Sequence, residues 1–288
     1  MQTKKTFGLA LSGGGARGIV HLGILQALEE NNIKPSVLSG ASMGAIVAIG
    51  YSLGLKPEEM LKIILDEIKP ITLRNMDFKG LGLFHLHKVE KFFRSIAAED
   101  NFSALDIPVH IVVTNLNSGT FEIKSEGKMI DFVMASASIP MLFTPKIIDG
   151  VYYVDGGLTK NMAAEVLKNQ CDKVIGINVN HISEMNRFKK IKDMASRTYH
   201  LAVHNTIRDE LEFCDYIVDP PQTRNFALMD FSKAQKIFDV GYEEGQQLAK
   251  LLHAEEQNNH RFVEKFLKQE LFGIKKVIPY IKEKIENR

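Results

Sequence analysis

Two strand–turn–helix units between Phe7 and Leu53 constrain this chain more than any other feature. Phe7 to Leu11 is a short apolar run ending in Ser12-Gly13-Gly14-Gly15, the pattern of a buried strand entering a tight turn. Ile19, Leu22, Ile24, Leu25 and Leu28 then recur at helical spacing until Asn31-Asn32 breaks the pattern. Ser36 to Ser39 reads as a second strand, ending at Gly40, and Met43 to Leu53 as a second apolar helix. Apolar strands alternating with apolar helices suggest a parallel sheet covered on both faces. The expected fold is therefore α/β, a three-layer α/β/α sandwich with a mostly parallel central sheet.

The rest of the chain fits that frame. Pro57 suits the first turn of a helix running to about Ile68. Residues 72–86 contain glycines and no clear period, so a loop and a lid both remain open. Lys88 to Ala98 is expected to be helical. Val109 to Leu116 and Thr120 to Ile123 flank Asn117-Ser118-Gly119, a hairpin signal. Val151 to Val154, Val174 to Val179 and Tyr216 to Val218 read as strands, and Ser232 to Leu252 as a helix.

At 288 residues the chain can bury a sizeable core as one large domain or two small ones. A balance of 36 Lys and Arg against 35 Asp and Glu argues against a nucleic-acid partner held by bulk charge. Two distant cysteines, Cys171 and Cys214, argue by their count against a disulfide framework or a multi-cysteine metal site. The sequence has no apolar run of about 18 residues and no signal-peptide pattern at its start, so a soluble, cytoplasmic protein is expected.

Two glycine motifs carry the chemistry. Gly13, Gly15 and Gly18 satisfy G-x-G-x-x-G between a strand and a helix. This pattern also serves dinucleotide-binding turns, so a nucleotide-binding module is one reading. That reading expects a carboxylate at the end of the second strand, where this chain has Leu38-Ser39-Gly40. Gly40-Ala41-Ser42-Met43-Gly44 is G-x-S-x-G, also between strand and helix. A nucleophilic serine on so sharp a turn needs small neighbours, and the following helix favours negative charge developing beside it. The N–H groups of Gly14 and Gly15 are candidates for an oxyanion hole.

The base is less obvious. The chain has nine histidines, none in a loop pattern typical of a catalytic triad, although an α/β-hydrolase with such a triad remains an alternative. His21 reads as a packed helix residue. His200 and His204 could share a helix face, where solvation is a simpler account than a metal pair. Asp155, in Val154-Asp155-Gly156-Gly157, follows a strand and has small neighbours, so it can approach a serine closely. Asp-Gly is also a common turn dipeptide, and that plain account competes.

Together, Gly13-Gly14-Gly15-Ala16-Arg17-Gly18, Gly40-Ala41-Ser42-Met43-Gly44 and Asp155-Gly156-Gly157 resemble the patatin-like phospholipase family in type, order and separation. The block from Ala135 to Pro145 resembles the stretch this family carries just before its aspartate. The resemblance covers about Phe7 to Val179. It implies a patatin-like fold and a serine–aspartate dyad without a catalytic histidine. Ser42 would attack a lipid ester, Asp155 would act as base, and Gly14 and Gly15 would hold the oxyanion. Arg17 would stand where the family carries a basic residue able to bind a lipid phosphate; a plain structural role is the alternative. No metal or cofactor is implied. The chain departs from the family's pattern at Asn161-Met162-Ala163, which lacks the usual proline, and at Asn115, where an aspartate is usual.

The expected division is a hydrolase domain over residues 1–255 and an amphipathic helical extension over residues 256–288. Arg261 to Arg288 holds eight Lys or Arg against four Asp or Glu, with apolar residues interleaved. Packing on the domain or on a second subunit, as in a homo-oligomer, is the simpler expectation. Peripheral contact with an anionic membrane is the alternative.

Overall fold

A computed structural model describes residues 5–67, 82–84, 86–185, 187–188, 190–257 and 273–276. The strands are β1 (Phe7–Leu11), β2 (Val37–Ala41), β3 (Gly82–Phe84), β4 (Val109–Asn115), β5 (Thr120–Lys124), β6 (Met141–Phe143), β7 (Lys146–Ile148), β8 (Val151–Asp155), β9 (Lys173–Ile177), β10 (Tyr216–Val218) and β11 (Ile274–Lys276). The helices are α1 (Ile19–Glu30), α2 (Met43–Ser52), α3 (Pro57–Glu67), α4 (His87–Ile96), α5 (Met129–Ser136), α6 (Ile191–Arg208) and α7 (Ala234–Glu256).

The main sheet runs β11-β10-β9-β1-β2-β4-β8-β7, with β5 also paired to β4. Its centre, from β10 to β4, is parallel, and β11, β5, β8 and β7 join antiparallel. Alternation along β1 explains the three layers. Phe7, Leu9 and Leu11 enter the larger core beneath α1, α2 and α7, while Ala10 enters a second core shared with Ile207 of α6. Both faces are covered, so the central strands read as continuous apolar runs.

Helices α1 and α7 pack closely enough that glycine is required at their contact. A Cβ on Gly241 would lie 2.1 Å from the Val20 carbonyl oxygen, and one on Gly23 would lie 2.1 Å from that of Phe238.

Three findings differ from the sequence reading or refine it. Within the stretch 256–288, expected to be helical, Ile274–Lys276 is a strand paired antiparallel with β10. A lone strand's polar backbone is satisfied by the open edge of β10, and that gain outweighs the helical spacing of its apolar residues. Residues 258–272 and 277–288 lie outside the described residues, as do 72–81 and 85 of the loop-or-lid stretch. Residues 82–84 of that stretch form β3, paired with β6. Finally, α6 and its half-buried His200 and His204 pack on the domain rather than forming a solvated face.

Candidate active site

The carboxyl ends of the parallel strands meet where β1 lies between β2 and β9, the place where open α/β sheets form a crevice. The turn after β2 puts Ser42 there with φ 53° and ψ −123°, an unfavourable conformation for a residue with a side chain. Close approach accounts for the flanking glycines. A Cβ on Gly40 would lie 2.5 Å from the Gly44 carbonyl, and one on Gly44 would lie 2.4 Å from the Leu11 carbonyl. The elbow is therefore wedged against both its own helix and β1. The Ser42 N–H donates to Ser136 Oγ at 2.9 Å, and that hydroxyl donates to the Val112 carbonyl at 2.6 Å.

Asp155 ends β8 beside the elbow. Ser42 Oγ donates to Asp155 Oδ2 at 2.5 Å, and the Gly157 N–H donates to Asp155 Oδ1 at 2.7 Å. The Asp155 backbone is also fixed: its N–H donates to the Ser138 carbonyl, and its carbonyl accepts from Thr114 Oγ1. Burial pushes the carboxyl up to about 6, while the Ser42 hydroxyl and Gly157 N–H restrain that rise. A carboxylate with that value is ionised at neutral pH yet basic enough to take a proton.

The glycine turn faces this pair. Gly13, Gly14, Gly15, Ser42, Asp155 and Tyr199 are among the residues lining one cleft of about 230 Å³. Asn161 and Asn180 fix the turn. Asn161 Oδ1 accepts the Gly13 N–H at 3.1 Å, and the Gly13 carbonyl accepts from Asn180 Nδ2 at 2.6 Å and Asn161 Nδ2 at 3.3 Å. In a trans peptide the Gly14 N–H points opposite to that carbonyl. Among the described residues, the N–H groups of Gly14 and Gly15 donate to no recorded partner. Gly18 sits against Met43, the residue after the serine.

Arg17 and His21 occupy supporting positions. Arg17 is 5% exposed, and its Nε–H donates to the Phe226 carbonyl at 2.8 Å, so it is neither solvated nor paired with a described acid. His21 is fully buried, and its Nε2 bonds the Ser12 carbonyl at 2.8 Å. Burial pulls its ring down to about 4, so it is neutral. Among the described residues no histidine lines the serine cleft.

The sequence reading brought together the two glycine turns, Ser42 and Asp155, and missed the residues around them. Asn161 was named there only within a stretch that departs from the family's pattern by lacking its proline, and Asn180 was recoverable from its place just beyond a parallel strand. Tyr199, Val203 and Leu228 also line the cleft, and no local motif marks them. Chemically, the arrangement can deliver a hydroxyl to a carbonyl, accept its proton on a carboxylate and offer backbone N–H groups to the resulting oxyanion.

Such an elbow serine, bonded to a buried carboxylate under a glycine turn, defines a class of two-residue sites. The profile of the patatin-like phospholipase family matches residues 9–168, and the chain belongs to that family. It is 26% identical to patatin-like phospholipase domain-containing protein 6 of Mus musculus, over 84% of this chain and 20% of that protein. It is also 26% identical to lysophospholipase NTE1 of Kluyveromyces lactis, over 87% and 19% respectively. The chain thus spans about a fifth of the length of these curated relatives. Against the uncharacterized protein R571 of Acanthamoeba polyphaga mimivirus it is 27% identical over 75% of each. Among solved structures, VipD from Legionella pneumophila aligns with a TM-score of 0.46 and 17% identity, covering 93% of this chain and 79% of that one.

Proposed function

We propose that the chain is a serine acyl hydrolase of lipid esters, with Ser42 as nucleophile and Asp155 as base. The observation that carries this is the 2.5 Å hydrogen bond from an elbow serine to a fully buried carboxyl. Family membership favours this use of the glycine turn over dinucleotide binding. Two relatives are named as a phospholipase domain protein and a lysophospholipase, which supports a lipid substrate. So does an apolar pocket between α2, α3 and α4, lined among others by Met43, the residue after the serine, Ile46, Met60 and Phe92.

In the acylation step Ser42 Oγ forms a bond to the ester carbon while its proton passes to Asp155. The carbonyl electrons move to oxygen, held by the N–H groups of Gly14 and Gly15. Collapse breaks the carbon–oxygen bond, and the departing alcohol takes the proton from Asp155. A water molecule, deprotonated by the same carboxylate, then frees the acid and restores Ser42. Neither step requires a metal or cofactor.

A fluorophosphonate probe tests the assignment directly. Wild-type protein should be labelled and Ser42→Ala should not, with Asp155→Asn slower by about a hundredfold or more. Equal labelling of wild type and Ser42→Ala would place the reactive group elsewhere.

A further inference from the structure

Helix α6 has two faces with different surroundings. Inward, Tyr199 and Val203 line the serine cleft, and Thr206 Oγ1 accepts the Asn161 N–H at 3.0 Å. The C-terminal end of the helix is anchored. Ile207 is buried, and Glu210 just beyond it pairs with Lys160 while accepting the N–H groups of Ala164 and Glu165.

The outward face is apolar towards its N-terminal half. Ile191 is 89% exposed, Met194 54% and Leu201 41%, and their spacing aligns them as one stripe. Phe188, in the loop before the helix, extends it at 46% exposure. Arg187 and Lys190 are exposed beside them. From Glu184 to Leu201 the sequence holds five Lys or Arg against two Asp or Glu, in a chain whose formal net charge is +1. Single exposed apolar residues are ordinary, but a contiguous group calls for a covering partner. A basic flank beside an apolar stripe complements a surface that is both anionic and penetrable, which describes a lipid bilayer.

Position strengthens the case. Helix α6 forms one wall of the serine cleft through Tyr199 and Val203. A bilayer engaging the outward face of α6 therefore lies one helix away from the cleft.

We propose that the outward face of α6 and the loop before it dock the chain on anionic lipid bilayers. Phe188, Ile191 and Met194 enter the acyl boundary, and Arg187 and Lys190 meet lipid phosphates. The purpose of this docking rests on the acyl-hydrolase reading; its geometry does not. None of these docking residues belongs to the C-terminal stretch 256–288.

Co-sedimentation of the full chain with phosphatidylcholine–phosphatidylglycerol vesicles, compared with pure phosphatidylcholine, provides the test. Wild type should prefer the mixed vesicles. Ile191→Glu/Met194→Glu and Arg187→Glu/Lys190→Glu should each weaken that binding about tenfold or more. Both variants should melt like wild type and cleave a soluble short-chain p-nitrophenyl ester at the wild-type rate. Wild type that ignores mixed vesicles, or folded variants that bind them undiminished, would overturn the proposal. Wild type that binds through these residues but cleaves no ester would sink the hydrolase reading and leave the docking surface standing.

Discussion

At the residue scale, the site keeps Asp155 against its own ionisation. Its carboxyl rises from an ordinary 3.8 to about 6 because burial outweighs the bonds from Ser42 and Gly157. The folded chain therefore binds more protons than the unfolded one between about pH 4 and pH 6, and stability falls as pH rises through that window. Asp155→Asn should thus melt a few degrees above wild type at pH 8, with the gap closing below about pH 4. The same carboxylate as base should make kcat/KM rise about tenfold per pH unit below about 6 and level off above. A melting gap independent of pH would show that Asp155 ionisation is not what loads the site. Ser42 was legible in sequence because backbone crowding demands small neighbours, and small neighbours leave a motif; Asp155, in a dipeptide common in turns, stood out through the family resemblance. Asn161 and Asn180 act through a carbonyl and an N–H of Gly13, a role that many polar residues in many loops can fill, so residue type alone does not announce it.

At the element scale, the position of the glycine turn depends on α1, which continues from it and packs against α7. Gly241 and Gly23 let those helix backbones approach, and a side chain at either point meets a carbonyl oxygen. Gly241→Val should lower the unfolding free energy by about 1–3 kcal/mol in urea titration, because the helices must separate. Fluorophosphonate labelling should slow with it, since α1 carries the turn. A variant as stable as wild type would show that the α1–α7 contact can relax freely. Helices α1 and α2 were readable because both are nearly all buried. Helix α6 escaped notice because its apolar residues divide between a cleft and an open face, which blurs any single stripe. Strands β6 and β7 are three residues each, too short for alternation to register.

At the scale of the whole molecule, the C-terminal stretch belongs in part to the sheet. β11 covers β10, whose Tyr216, Ile217 and Val218 are all buried, and the chain reaches it through a contact inside the fold. The Gly273 N–H donates to the Glu244 carboxyl at 3.2 Å, and the Gly273 carbonyl accepts from the Asp219 N–H at 2.8 Å. A domain boundary at residue 255 would sever this edge. Deleting residues 273–288 should therefore lower the melting temperature and expose the backbone of β10, promoting aggregation measurable by light scattering. Glu244 offers a milder route to the same contact. Burial raises its carboxyl from 4.5 to about 7, with Glu243 and Asp219 adding to the rise and the Gly273 N–H opposing it. Its contribution is present below about pH 4.5 and lost as pH rises through 7. Glu244→Gln retains an acceptor for Gly273 without the charge, so it should melt above wild type at pH 8 and match it near pH 4. If the deletion melts like wild type while Glu244→Gln still shows that pH-dependent gain, the charge on Glu244 acts within α7 alone and β11 is an attachment. If both shift as stated, the C-terminal strand is part of the cooperative fold that holds the serine cleft.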